Sequence, residues 1–192
     1  MLPLILASTS PFRAALLQRL ALPFATFAPD IDETPLEGET PEAMVRRLTA
    51  AKAGAARPHY PAHLVIASDQ CAVCDGIILG KPGNHENAIK QLAGFSGKRV
   101  RFLTGLALLN TSSGQLHLDV VPFSVHFRQL SPAQIERYLQ KEQPYNCAGS
   151  FKSEGLGITL FERMEGEDPN ALIGLPLIRL TSFLTNEGIA LP

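Results

Sequence analysis

Asp69 closes the apolar run Val65-Ile66-Ala67-Ser68-Asp69. A carboxylate at such a place can accept a proton or hold a divalent cation. Ligands of α/β sheets gather at the carboxyl ends of strands. On position alone, the competing assignment is a loop acid capping nearby backbone. A second acid, Glu33, lies in the acidic loop 29–38 beside Asp30, Asp32 and Glu37. Glu33 and Asp69 together offer hard oxygen ligands. Mg²⁺ typically takes one or two such carboxylates and completes its shell with substrate phosphates. A solvated acidic loop is the plainer account of the same spacing.

Arg13, Lys52 and Lys81 each sit beside a motif-like feature. Arg13 falls in the first turn of an expected helix, where a cation opposes the helix dipole. That unfavourable placement hints at function. Lys52 lies on an Ala-rich helix face, and Lys81 lies in Gly80-Lys81-Pro82, just past a strand. Both read as surface lysines unless the fold makes them converge. Cys71 and Cys74 form a C-x-x-C within an expected strand. Thioredoxin-like pairs sit at a helix N-terminus instead, and in a strand positions i and i+3 face opposite sides. Buried, apolar cysteines are the expectation. The five histidines show no metal-ligand spacing. Residues 149–155 form a polar loop of the kind that carries ligand contacts.

The elements that must position these groups alternate. Residues 2–7 read as a short buried strand. Ser8-Thr9-Ser10 follows, and Pro11 opens an apolar-periodic run to Leu20. Ser10 suits the N-cap and Pro11 the first helical position. A helix N-terminus presents unpaired N–H groups and a positive dipole end, both suited to phosphate. An extended stretch at 24–28 precedes the acidic loop, and Thr40-Pro41 starts a helix to about Ala56. A strand is expected over 63–69. The turn signal Asp75-Gly76 should fold 70–74 back on 77–79. A helix over 84–92, strands over 100–109 and 116–127, and a helix from Ser131-Pro132 to about Glu142 follow. A strand over 158–163 and a helix within 175–185 complete the series. This is an α/β chain, and its long central strand pair points to a mixed sheet.

With 192 residues, 45% of them hydrophobic, the chain suits one domain spanning 1–192, or one compact unit of two lobes. A net charge of −1 provides no basic field, which argues against nucleic acid as the main partner. Three cysteines give no disulfide framework, and a reducing, cytoplasmic setting fits best. Residues 1–7 are apolar but short and lack a cationic flank, so no signal peptide is expected. No stretch approaches the ~20 apolar residues of a membrane span.

The stretch Leu6-Ala7-Ser8-Thr9-Ser10-Pro11-Phe12-Arg13 resembles the opening of the Maf family of nucleoside triphosphate pyrophosphatases. The resemblance continues in order through Asp32-Glu33-Thr34, Lys52, Ser68-Asp69-Gln70, Gly80-Lys81-Pro82, Thr104-Gly105 and Ala148-Gly149-Ser150-Phe151. Single blocks are weak signals, but the ordered set covers nearly the whole chain. The resemblance implies a mixed, twisted sheet flanked by helices, similar to the inosine triphosphatase group, with two lobes around a cleft. It also implies a divalent cation, Mg²⁺ or Mn²⁺, and by analogy a homodimer. The matching positions are Ser8, Arg13, Glu33, Lys52, Asp69 and Lys81. On that basis Asp69 is the proton acceptor, and Glu33 with Asp69 holds the metal. Ser8, Arg13, Lys52 and Lys81 bind the phosphates of a small nucleotide substrate.

Some positions depart from the wider family pattern. Phe12 stands where a first arginine is common, and Ala14 replaces a further basic residue common nearby. Gln70 replaces a frequent Thr, and Glu154 a frequent Gln. Phe12, Gln70 and Glu154 together resemble the subgroup acting on 7-methyl-GTP. A 7-methylguanine ring is cationic and favours an aromatic face, by ~0.5–2 kcal/mol. Glu154 could accept from guanine N1–H and its amine. The other assignment for Phe12 is a core residue. Two further functions stay open at this point. One is a pyrophosphatase for dTTP, UTP or a modified pyrimidine nucleotide. The other is a nucleotide-binding regulator of septum formation.

Overall fold

A computed structural model describes residues 2–191; Met1, where the expected absence of a leader begins, lies outside them. The chain divides into two compact units. The first comprises Met1–Gln70, Leu103–Val121 and Asp168–Pro192; the second comprises Cys71–Phe102 and Pro122–Glu167. Seven strands form one sheet: β1 (Leu4–Ala7), β2 (Phe24–Phe27), β3 (Leu64–Cys74), β4 (Ile77–Leu79), β5 (Arg99–Asn110), β6 (Leu116–Phe127) and β7 (Phe161–Gly166). Their order is β2-β1-β3-β5-β6-β7, with β4 paired to β3. β1 runs parallel to β2 and β3, whereas β3–β4 and β6–β7 are antiparallel. The sheet is mixed, as its long strands led one to expect.

In the first unit the two-residue period of the strands sorts side chains onto two faces. Leu4 and Leu6, Leu64 and Ile66, and Leu106 and Leu108 pack with α1 (Pro11–Gln18) and α6 (Leu177–Asn186). Ile5 and Ala7, Val65 and Ala67, and Ala107 and Leu109 pack with Ala53 and Ala56 of α2 (Pro41–Ala56). Each fully buried Leu contributes about 1.5–3 kcal/mol by leaving water. Small residues let α2 approach closely. At Gly105 a Cβ would overlap Thr49 Oγ1 and crowd Val45.

The helix starts follow their caps. The hydroxyls of Ser10 and Thr40 accept from Arg13 N and Ala43 N, with Pro11 and Pro41 in the first helical position. A short helix, α5 (Pro169–Ile173), begins after Asp168, whose carboxylate caps Asn170 N.

In the second unit α3 (His85–Phe95) and α4 (Pro132–Glu142) accompany an aromatic core. Phe151 meets Phe161 edge-on at 4.8 Å between ring centres, and Phe102 at 5.4 Å. Asp75 and Gly76 both have positive φ, 50° and 80°, as a tight hairpin turn requires. The strand expected over 158–163 starts later. Leu156–Leu160 form a 3-10 turn, closed by Phe161 N donating to Ile158 O, and β7 begins at Phe161.

Cys71 and Cys74 are both buried, because this part of β3 is covered on both faces. Burial pushes the Cys74 and Cys147 thiols above their ordinary values, which leaves little thiolate at neutral pH. The native protein should therefore react slowly with iodoacetamide at pH 7, and the urea-unfolded protein fully. Rapid stoichiometric labelling of native protein at Cys71 or Cys74 would restore a redox role for the pair.

Candidate active site

β3 does not stop at Asp69; it runs on to Cys74. What ends there is the parallel pairing, since β1 matches β3 only through Ala7 and Ala67. Asp69 therefore stands just beyond the carboxyl end of β1, on a strand that continues. Its parity places it on the α2 face, with Val65 and Ala67. Ser68 and Gln70 point to the opposite face. Asp69 is buried, with 8% of its surface exposed.

Lys52 is not a surface lysine. It is 7% exposed, and its Nζ lies 2.6 Å from Asp69 Oδ1 and 2.8 Å from Glu33 Oε1. α2 brings it there because Lys52 shares the buried stripe with Leu48, Thr49 and Ala56. An ammonium has three donors, so one remains for a third oxygen. Glu33 is held by its loop. Arg47 of α2 forks onto Glu39 with two 2.7 Å contacts and donates to Thr34 O. Asp32 caps Thr34 N at 2.9 Å, and hydrogen bonds from Thr34 hold its carboxyl below the ordinary value.

Arg13 donates through Nε to Gly174 O at 2.9 Å and through Nη1 to Ser8 Oγ at 3.4 Å. Burial lowers its pKa, while the nearby charges of Asp69 and Glu33 raise it. Ser8 is buried, and its oxygen also accepts from Ser10 N at 3.2 Å. With its oxygen accepting twice, the Ser8 hydroxyl proton is left to donate. An open pocket of about 350 Å³ lies here, lined by Ser8, Thr9 and Ser10, with Ala14 and Phe27. No acidic residue occupies the first turn of α1, so its positive end is unmatched by any acid of its own turn.

Phe12 is 36% exposed and is therefore not a core residue. Gln70 Nε2 donates to Thr104 Oγ1 at 2.9 Å, to Ala171 O at 2.8 Å and to Leu172 O at 3.2 Å. Its amine is spent on backbone and on Thr104, so a ligand contact would fall to its oxygen. The first unit thus brings together Ser8, Arg13, Glu33, Lys52 and Asp69, and holds Phe12 and Gln70 as well.

Lys81 and Glu154 belong to the second unit, where both are exposed. The Lys81 loop is pinned on each side: Gln91 Nε2 donates to Gly80 O and Asn87 Nδ2 to Pro82 O. Lys81 and Glu154 both act on the Cys147 thiol, in opposite directions.

Sequence reasoning passes over the segment 168–176. Asp168-Pro169 and Gly174 are nonetheless start and stop signals for a short helix. The last carbonyls of that helix accept from Gln70, Thr104, Ser68 and Arg13.

The arrangement is a buried carboxylate paired to an ammonium, near an arginine that donates to a hydroxyl at a helix N-terminus. It suits an anionic substrate with a proton-transfer step. Residues 3–187 match the sequence profile of the Maf-like proteins. The chain belongs to the Maf-like family. Among Maf-like relatives, it is 58% identical over 189 residues to a protein of Pseudomonas syringae pv. tomato named 7-methyl-GTP pyrophosphatase. It is equally similar to a protein of the same name from Pseudomonas aeruginosa. The match covers 98% of this chain and 98% of each relative. The fold is also shared with the Ham1 protein of Staphylococcus aureus, at a TM-score of 0.56 and 14% identity. That match covers 96% of this chain and 99% of the other. At this identity the likeness concerns the fold alone, and it agrees with the mixed α/β class. No helix among the described residues is long and apolar enough to cross a membrane.

Proposed function

We propose that this Maf-like chain is a pyrophosphatase that hydrolyses 7-methyl-GTP to 7-methyl-GMP and diphosphate. Full-length identity of 58% to proteins bearing that name carries the assignment. The geometry around Asp69 is compatible with it. Water attacks the α-phosphorus, the bond to the bridging oxygen breaks, and diphosphate leaves. Asp69 accepts the water's proton. The third donor of Lys52, the Arg13 guanidinium and the Ser8 hydroxyl meet the charge that builds on phosphate oxygens. In the first unit, Phe12 stacks on the cationic base and the oxygen of Gln70 adds to its recognition. For the second unit, the family resemblance alone assigns Lys81 to phosphate and Glu154 to the Watson–Crick edge of the base.

Two carboxylates converge on one cationic point, Lys52 Nζ, and this oxygen-only pair suits Mg²⁺ or Mn²⁺. Among the described residues no cluster of three or more His, Cys, Asp or Glu could hold a metal. Glu33 and Asp69 would therefore share such an ion with phosphate oxygens and water. When bound, the ion would neutralise phosphate charge and orient the triphosphate.

A substrate panel tests the assignment. With Mg²⁺ or Mn²⁺, diphosphate release from 7-methyl-GTP should exceed that from dTTP or UTP by about 100-fold in kcat/KM. A 100-fold ratio is about 2.7 kcal/mol, within reach of one cation–π contact together with one hydrogen bond to a charged group. A preference for dTTP or UTP would move the chain to pyrimidine nucleotides. Tight binding without diphosphate release under either metal would make it a nucleotide-binding regulator.

A further inference from the structure

Gly174 sits at φ 123° and ψ 8°, a backbone conformation closed to most residues with a side chain. Its carbonyl oxygen accepts two hydrogen bonds from different elements. Ser68 Oγ of β3 donates at 2.8 Å, and Arg13 Nε of α1 donates at 2.9 Å. Ser68 is the residue before Asp69, so one oxygen references the guanidinium to the strand carrying the carboxylate. The segment behind Gly174 is fixed as well. Asp168 is 2% exposed, and its Oδ1 accepts from Asn170 N and Nδ2, both at 2.9 Å. Its Oδ2 accepts from Ile178 N at 2.7 Å, so one buried carboxylate ties the start of α5 to the start of α6. Arg19 Nη1 reaches Asn170 Oδ1 at 2.6 Å, adding a second link from α1 to α5. Gln70 and Thr104 hold Ala171 O from the sheet.

We infer that Gly174 is a positioning residue for Arg13, with Asp168 as its anchor: the Gly174 carbonyl takes the Nε donor, Ser8 Oγ takes one N–H of Nη1, and Nη2 with the other N–H of Nη1 is left for phosphate. A guanidinium is planar, so fixing Nε fixes the orientation of the whole fork. Lysine offers no equivalent donor partway along its chain. The inference rests on the proposed pyrophosphatase activity for its kinetic readout, but not for its structural one.

A cycle of variants assayed on 7-methyl-GTP tests it. Gly174→Ala should lower kcat/KM by about tenfold, the scale of a displaced but present catalytic group. In an Arg13→Ala background the same substitution should change kcat/KM by no more than about twofold, because its target is gone. Equal losses in both backgrounds would show a general structural effect and overturn the inference. If Gly174→Ala fails to fold, Arg13→Lys decides. Retention of charge without the Nε donor should still leave less than about a tenth of the activity, and near-parental activity overturns the inference. If the parent protein releases no diphosphate from any nucleotide, the functional proposal fails by itself. The positioning is then read by NMR from the Arg13 Nε–H. It should exchange slowly with water in the parent and quickly in Gly174→Ala or, should that not fold, in Asp168→Asn. Fast exchange in the parent overturns the inference whatever the substrate.

Discussion

Asp69→Asn is expected to lower kcat by about 10³-fold, within the usual range for losing a general base, while leaving the thermal unfolding midpoint close to that of the parent. The two halves of this outcome have separate causes. An amide cannot accept the water's proton, and it is a far weaker partner for a divalent ion. It can, however, still accept a hydrogen bond from Lys52 at the position of Oδ1. Lys52 also keeps Glu33 at 2.8 Å, so the buried ammonium is not stranded. Asn nearly matches Asp in volume, so the packing of β3 is undisturbed. Steady-state kinetics and a thermal melt on the same preparation check both halves. Activity within about tenfold of the parent would remove Asp69 from the role of base. A collapsed melt would mean that its charge serves the fold first.

Much of the architecture could be read from local chemistry. Ser10-Pro11, Thr40-Pro41 and Ser131-Pro132 each start a helix because the hydroxyl caps a free N–H where the proline needs none. Asp75-Gly76 tolerates the positive φ of a tight turn, and a hairpin forms there. The 3-10 turn at Leu156–Leu160 was not legible, since Leu156, Ile158 and Leu160 alternate with Gly157 and Thr159 as a strand would. Hydrogen bonds three residues back, from Ile158 N to Gly155 O and from Phe161 N to Ile158 O, decide it, and no periodicity reports that.

The site divides in the same way. Ordered blocks select Ser8, Arg13, Glu33, Lys52 and Asp69, and the first unit gathers them. The burial of Lys52 was hidden, because an Ala-rich helix face does not say which way it turns. Only the two-residue period of β3 puts Asp69 on the face that α2 covers. Gly174 was invisible for a different reason. Its partner Arg13 lies 161 residues away in the chain, and the contact is to backbone, which carries no residue-type signal.

Lys52→Met should destabilise the protein by about 3–5 kcal/mol, the cost of leaving a buried charge without its partner. For a chain of this length that corresponds to roughly 10 °C in the unfolding midpoint. The asymmetry with Asp69→Asn follows from the partners that remain. Lys52 has two carboxylates, but among the described residues the side chain of Asp69 has only Lys52 within hydrogen-bonding distance, and it feels Arg13 at longer range. Methionine matches the length and apolar body of lysine, so a packing defect contributes little. The double variant Lys52→Met with Asp69→Asn should therefore recover most of the lost stability, since the one carboxylate left without Lys52 is Glu33, whose side chain is 58% exposed and stays hydrated. It should not recover turnover, which needs the Asp69 carboxylate. Denaturant titrations of the two single variants and the double variant give the coupling directly. Strictly additive losses would mean that the 2.6 Å pair is not the source of the effect. A recovered fold with turnover still abolished would separate what the pair does for the structure from what its carboxylate does for the reaction.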